Sequence, residues 1–157
     1  YLNTQITLIN TGTTYNLFIS VIDKKIVLSG HTFIKRSNDD CSTFIQLTIP
    51  EPGSFNTLTR IDTSICYMLS SSSLSSNRIY KSTNGGLTWT QKYGGNTKAI
   101  DYILFFNGNE GIAPFNNYQV MTTIDGFSTW TVTSHPVVSI TSAKSFGDSL
   151  VCLGVGD

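Results

Sequence analysis

Ser82-Thr83-Asn84-Gly85-Gly86-Leu87-Thr88-Trp89 is the stretch on which the reading of this chain turns. It lies between two strand-like runs, Ile79-Tyr80-Lys81 and Trp89-Thr90-Gln91-Lys92-Tyr93. Asn and Gly between such runs mark a tight hairpin, because both tolerate the positive φ the turn needs. The pattern returns. Forty-one residues later comes Thr123-Ile124-Asp125-Gly126-Phe127-Ser128-Thr129-Trp130, and forty-five residues earlier comes Ser37-Asn38-Asp39-Asp40-Cys41-Ser42-Thr43-Phe44. In register the copies read hydroxyl, any residue, Asp or Asn, two variable positions with Gly in two copies, one more variable position, Thr, aromatic.

Outward from these turns the chain divides into units of similar order. Leu17 to Ile22 and Ile26 to Leu28 precede the first turn, and Phe44 to Ile49 follow it, closed by Pro50-Glu51-Pro52-Gly53. Leu58 to Ile61 and Ile65 to Leu69 precede the second, with a Ser-rich stretch, Ser70 to Ser76, lengthening one loop. Ile100 to Phe106, Gly111 to Ala113 and Gln119 to Met121 lead into the third. Val138 to Phe146 and Ser149 to Gly154 begin a fourth unit. A second alignment agrees: Ile22-Asp23, Ile61-Asp62, Phe106-Asn107 and Phe146-Gly147 recur at spacings of 39, 45 and 40 residues. Four strands per period of that length is the mark of propeller blades. No stretch sustains a 3.6-residue period, so the expected fold is all-β. The expected blades are 15–53, 54–96 and 97–135, with two strands of a further blade in 136–157 and an outer strand in 1–14, carried by the alternating run Gln5 to Ile9.

Ser82-x-Asn84-x-Gly86-x-Thr88-Trp89 resembles the Asp-box, or bacterial neuraminidase repeat, with its Ser-x-Asp-x-Gly-x-Thr-Trp pattern. That repeat occurs in sialidases, sortilin-type receptors, some glucanases and photosystem II assembly factors, and caps the hairpin between the third and fourth strands of a blade. Asn84 departs from it in the middle copy. In the third copy Gly is displaced to Gly126, and Cys41 and Phe44 replace Gly and Trp in the first. The resemblance implies structural duties for Ser37, Asp39, Thr43 and Phe44, for Ser82, Asn84, Gly86, Thr88 and Trp89, and for Thr123, Asp125, Gly126, Thr129 and Trp130. The chemistry agrees: the hydroxyl and the carboxylate or amide accept hydrogen bonds from turn N–H groups, Gly supplies backbone freedom, and the aromatic is expected to bury a large surface.

Ten basic and ten acidic residues cancel, which removes the electrostatic case for nucleic acid or an anionic membrane. Only 13% of residues are charged; Ser, Thr and Asn supply most of the polarity, which leans towards an extracytoplasmic or multi-chain setting. No apolar run nears the roughly 20 residues of a membrane helix. The chain begins at Tyr1 rather than Met, as a processed or excised chain would. Cys41, Cys66 and Cys152 are expected as buried or half-buried thiols on strands, and their spacing, with lone His31 and His135, fits no metal motif.

Sialidases of the Asp-box type hold a substrate carboxylate with three Arg residues. Here Arg36 and Arg78 flank the turns, which leaves Arg60 alone on an inner-strand candidate. Glucanase chemistry needs two carboxylates across a cleft, and Asp101 is the one inner-strand acid. No nucleophile triad, phosphate loop or cofactor motif occurs. The expected function is a non-catalytic binding or scaffold propeller, recognising protein or glycan or self-assembling through open blade edges. The alternative is a piece of a sialidase- or glucanase-type hydrolase whose catalytic residues lie elsewhere. A photosystem II assembly factor would carry a basic patch that this neutral sequence does not display. Arg60, Asp101, Tyr102 and Tyr118 are the candidate contacts, and no cofactor or metal is expected.

Overall fold

The computed structural model describes residues 18–22, 25–30, 33–39, 42–48, 54–71, 77–96, 100, 102–115, 118–134, 139–146 and 149–155, with the backbone alone for 18–22, 25–30, 54, 56, 71, 95–96, 139–146 and 149–155. The expected outer strand at 5–9 lies outside the described residues, as do His31, Cys41, Asp101, His135 and residues 50–53.

Among the described residues there are fourteen strands and no helix. Blade 1 is β1 (Phe18–Ile22), β2 (Lys25–Gly30), β3 (Phe33–Ser37) and β4 (Ile45–Gln46). Blade 2 is β5 (Ser54–Arg60), β6 (Cys66–Ser71), β7 (Asn77–Ser82) and β8 (Thr90–Asn96). Blade 3 is β9 (Leu104–Phe105), β10 (Gly111–Phe115), β11 (Gln119–Thr123) and β12 (Thr131–Ser134). A two-stranded sheet, β13 (Ser139–Phe146) with β14 (Ser149–Val155), follows. In every sheet the strands lie in chain order and each pairs antiparallel with the next. The first strand of blade 3 is shorter than the expected Ile100–Phe106: beyond β9 there is one isolated bridge, Ile100 to Phe115. The break sits opposite Pro114, which has no N–H to give to a ladder.

The core lies between blades, and the period of two in each strand puts it there. In blade 2, Tyr67, Leu69 and Ile79 pack with Ile103, Phe105, Ala113, Phe115 and Met121 of blade 3. Met68 and Tyr80, on the opposite face, pack with Ile34 and Leu47 of blade 1. Phe55 and Leu58 share that second cluster although three residues apart, because a register shift between Phe55 and Thr57 returns both to one side. Each large apolar side chain so buried contributes roughly 1.5–3 kcal/mol on transfer from water. A blade therefore owes its stability to its neighbours. Thr59 Oγ1 also donates to the Ile103 carbonyl at 3.1 Å, joining the inner edges of blades 2 and 3.

Candidate functional site

The polar residues of the repeat converge first on the hairpin between the third and fourth strands of each blade. In blade 1, Ser37 Oγ donates to Asp39 Oδ1 at 2.8 Å, and the same oxygen accepts the Thr43 N–H at 2.9 Å. Thr43 Oγ1 donates to Asp39 Oδ2 at 2.5 Å. Blade 3 repeats the set: Thr123 Oγ1 to Asp125 Oδ1 at 3.0 Å, Thr129 N to Asp125 Oδ1 at 2.8 Å, and Thr129 Oγ1 to Asp125 Oδ2 at 2.6 Å. Blade 2 does the same with an amide. Asn84 Oδ1 accepts from Ser82 Oγ and Thr88 N at 3.0 and 2.9 Å, but Asn84 Nδ2 now donates to Thr88 Oγ1 at 2.8 Å. The hydroxyl–amide contact survives with its direction reversed. Hydrogen bonds from the Thr43 hydroxyl and N–H hold the Asp39 carboxyl down at about 2. Those from Thr129 hold Asp125 at about 2 as well. Both acids are ionised turn staples at any ordinary pH.

The fifth position of the second and third turns is left-handed. Gly86 occupies it in blade 2 with φ +90, and Phe127 occupies it in blade 3 with φ +60. Phe127 is fully buried and meets Phe105 edge-on at 5.6 Å. The third copy has thus exchanged a strain-free glycine for a strained aromatic plug, which a reading of Gly126 as a displaced Gly does not reveal. Gly126 is instead the counterpart of Gly85, each with a backbone N–H donating to the turn between the first two strands of its own blade. Gly85 N reaches the Ser64 carbonyl at 2.7 Å, and Gly126 N the Asn109 carbonyl at 2.8 Å. Those inner turns are themselves Asx turns: Asp62 Oδ1 accepts Ser64 N and Ile65 N, and Asn107 Oδ1 accepts Asn109 N and Glu110 N.

The residue just before the turn hydroxyl reaches forward to the next blade. Arg36 Nη1 donates to the Gly85 carbonyl at 3.3 Å. Lys81 Nζ donates to the Gly108 carbonyl at 3.1 Å while lying 5.2 Å from the Tyr67 ring centroid. Tyr67 OH donates to the same carbonyl at 2.7 Å, and its ring stacks on Phe105 at 3.5 Å. Burial, with Lys92 nearby, lowers the Lys81 pKa against the pull of Asp125. At the third copy the position is Thr122, whose hydroxyl pairs with that of Thr131 at 2.7 Å within its own blade. The sequence reading takes Arg36 only as a residue flanking its turn and does not single out Lys81, though their shared place before Ser37 and Ser82 is a readable signal.

The aromatic that ends each turn is less buried than expected. Trp89 packs against the cluster between blades 1 and 2, and Phe44 is half-buried. Trp130 is 44% exposed and touches the Tyr93 ring edge-on at 5.2 Å. The reason is position: Trp130 opens onto β12, all of whose residues are exposed.

The expected contact residues do not gather in one place. In an antiparallel blade the first and third hairpins share one end and the second lies at the other. Arg60 ends β5 beside Cys66, at the end that carries the turns. Tyr118 sits in the β10–β11 hairpin at the opposite end, 40% exposed with φ 59. Half-buried Tyr102 falls on that side too, just after the Ile100–Phe115 bridge. Arg60 therefore belongs to a different end from the two tyrosines. Burial pushes the Cys66 thiol up to about 11, which leaves it a protonated thiol beside the turns. Among the described residues no three His, Cys, Asp or Glu side chains could hold a metal ion, and no helix is long and apolar enough to cross a membrane.

No protein-family model matches this sequence, and no curated protein does. Solved structures do match. One is described as YCF48 bound to D1 peptide: TM-score 0.69, 16% identity, over 93% of this chain and 50% of that one. Another is YCF48 from Cyanidioschyzon merolae: TM-score 0.65, 14% identity, over 98% of this chain and 53% of that one. The chain spans about half the length of these neighbours. At such identity the likeness concerns the fold, and the fold is that of an all-β propeller.

Proposed function

We propose that this chain is a non-catalytic, protein-binding propeller module whose three turns are Asp-boxes serving the scaffold. The observation that carries this reading is the use made of the acids. Asp39, Asp62 and Asp125 each accept two or more hydrogen bonds from their own turns, and each is held below the usual carboxylate range by them. A general acid needs a carboxyl that holds its proton near working pH, and staples fixed as carboxylates do not. The propeller neighbour that is bound to a D1 peptide supports a protein ligand. The binding end is the one that carries Tyr102 and Tyr118, away from the turns. Tyr118 presents an exposed ring on a backbone held in a conformation that costs a non-glycine residue energy, the kind of strain found at ligand contacts. Aromatic anchors of this sort dominate protein interfaces.

The test is a displayed random-peptide library panned on the purified chain, followed by affinity measurement on Tyr118→Ala and on Ile45→Lys, a change on the outer strand of blade 1. The reading requires peptides whose affinity falls at least about tenfold in Tyr118→Ala and is unchanged in Ile45→Lys. Hydrolysis of aryl glycosides by the same preparation, or no Tyr118-dependent peptide, would overturn it.

A further inference from the structure

The outer strands of the three blades differ in how they treat their open edge. In blade 1 the edge is two residues, β4. In blade 2 it is the long β8, broken by register shifts at Asn77/Arg78 and Ile79/Tyr80 and carrying Lys92. Short strands, bulges and lysines are the devices that keep an edge from pairing with another chain. β12, at four residues, has neither a bulge nor a lysine. Its four residues, Thr131-Val132-Thr133-Ser134, pair with β11 in unbroken register and carry no charge and no proline. All four are exposed, and among the described residues no strand lies on the outer side of β12.

We propose that β12 is a homodimerisation edge, pairing antiparallel with β12 of a second copy about a two-fold axis at Val132. The sequence is self-complementary in that arrangement. Thr-Val-Thr reads the same in both directions, so Val132 faces its counterpart and Thr131 faces the second copy's Thr133. Threonine pairs and β-branched pairs stabilise facing strands, and no like charges meet; residues 126–134 hold no charged side chain. Val132, 46% exposed, and Trp130, 44% exposed, lie two apart on one side of the strand and supply the apolar surface that pairing covers. The contact is isologous, so the β12 edge closes at two copies. Association of this kind stands apart from peptide recognition at Tyr118, and either can fail without the other.

The experiment is absolute mass by light scattering over a concentration series of the 157-residue chain, with Val132→Lys and Ile45→Lys in parallel and thermal melts to establish that each variant is folded. Wild type and Ile45→Lys rise from 17.2 kDa towards twice that mass, and Val132→Lys stays at 17.2 kDa. Under mild oxidation Val132→Cys forms a cross-linked dimer beyond the wild-type background and Ser134→Cys does not, which fixes the register. Wild type remaining at 17.2 kDa throughout, dimerisation of Val132→Lys equal to wild type, or assembly past two copies each overturns the proposal.

Discussion

Phe127 offers a test in which the usual order of two substitutions inverts. Its side chain is fully buried in the cluster between blades 2 and 3, against Phe105, while its φ of +60 is one that L-residues adopt at a cost. Phe127→Ala deletes the ring and leaves a cavity, a change that costs about 3–5 kcal/mol in well-packed cores. It keeps the Cβ and so keeps the left-handed strain, about 1–2 kcal/mol. Phe127→Gly loses the same ring but releases the strain, at an added unfolded-chain entropy of about 0.4–1 kcal/mol. The difference leaves the glycine variant about 0.5–1 kcal/mol more stable than the alanine variant. Gly86, which stands in the corresponding place in blade 2 with φ +90, shows the conformation at its unstrained best. Urea unfolding at 25 °C measures both, and the melting temperature of each should fall by about 10 °C, at about 2–4 °C per kcal/mol for a domain of this size. An alanine variant more stable than the glycine variant would refute the strain argument. Two variants within about 1 kcal/mol of wild type would refute the burial argument.

Three further outcomes follow from the turns. Asp39 and Asp125 have folded pKa values of about 2 against about 3.9 in the unfolded chain, so their contribution is complete above about pH 5 and is lost as pH falls through about 2. The double variant Asp39→Asn/Asp125→Asn, which copies the amide arrangement of Asn84, should flatten the acid limb of the urea midpoint between about pH 4 and 2; an unchanged slope would show that other groups carry it. Lys81→Met removes the donor to Gly108 and should cost about 1–2 kcal/mol, whereas Lys92→Met, which loses an exposed 3.4 Å contact to Ser128, should stay within about 0.5 kcal/mol. Equal effects at the two lysines would remove the forward-reaching role. Trp89→Ala should cost about 3–5 kcal/mol and Trp130→Ala, already half in water, about 2 kcal/mol, and the reverse order would mean that Trp130 is buried in solution.

The blades were legible because their signals are local and repeated. Asp62 and Asn107, matched by spacing alone, turn out to make the same pair of backbone bonds, and Ser37, Ser82 and Thr123 the same contact to the acid or amide two residues on. Strand limits were harder. Pro114 shortens the pairing of blade 3, and the bulge after Phe55 lets residues three apart share a face, so strict alternation misplaces one of them. Burial of the turn aromatic was not legible at all. Trp89 and Trp130 hold the same position, each directly after the turn Thr and before a Thr, and what separates them is how far the neighbouring blade covers each. A repeat pattern specifies the hairpin. It does not specify the neighbour.

The candidate contacts fared differently because they were chosen one by one. Arg60 and Tyr102 both fall near the inner edge in sequence terms, but hairpins alternate between the two ends of a blade, so their ends follow from strand direction and not from distance along the chain. Counting turns from Asp62 would have placed Arg60 with the box end and separated it from Tyr118. The same count explains Arg36 and Lys81. Each precedes a turn hydroxyl by one residue, at the end where turn carbonyls of the next blade lie within reach of a long cationic side chain. Thr122 in the third copy is too short to do so and closes on Thr131 instead. Thr122 therefore makes no forward tie of the kind that Arg36 and Lys81 make, and β12 ends blade 3 with four exposed, uncharged residues along its outer edge.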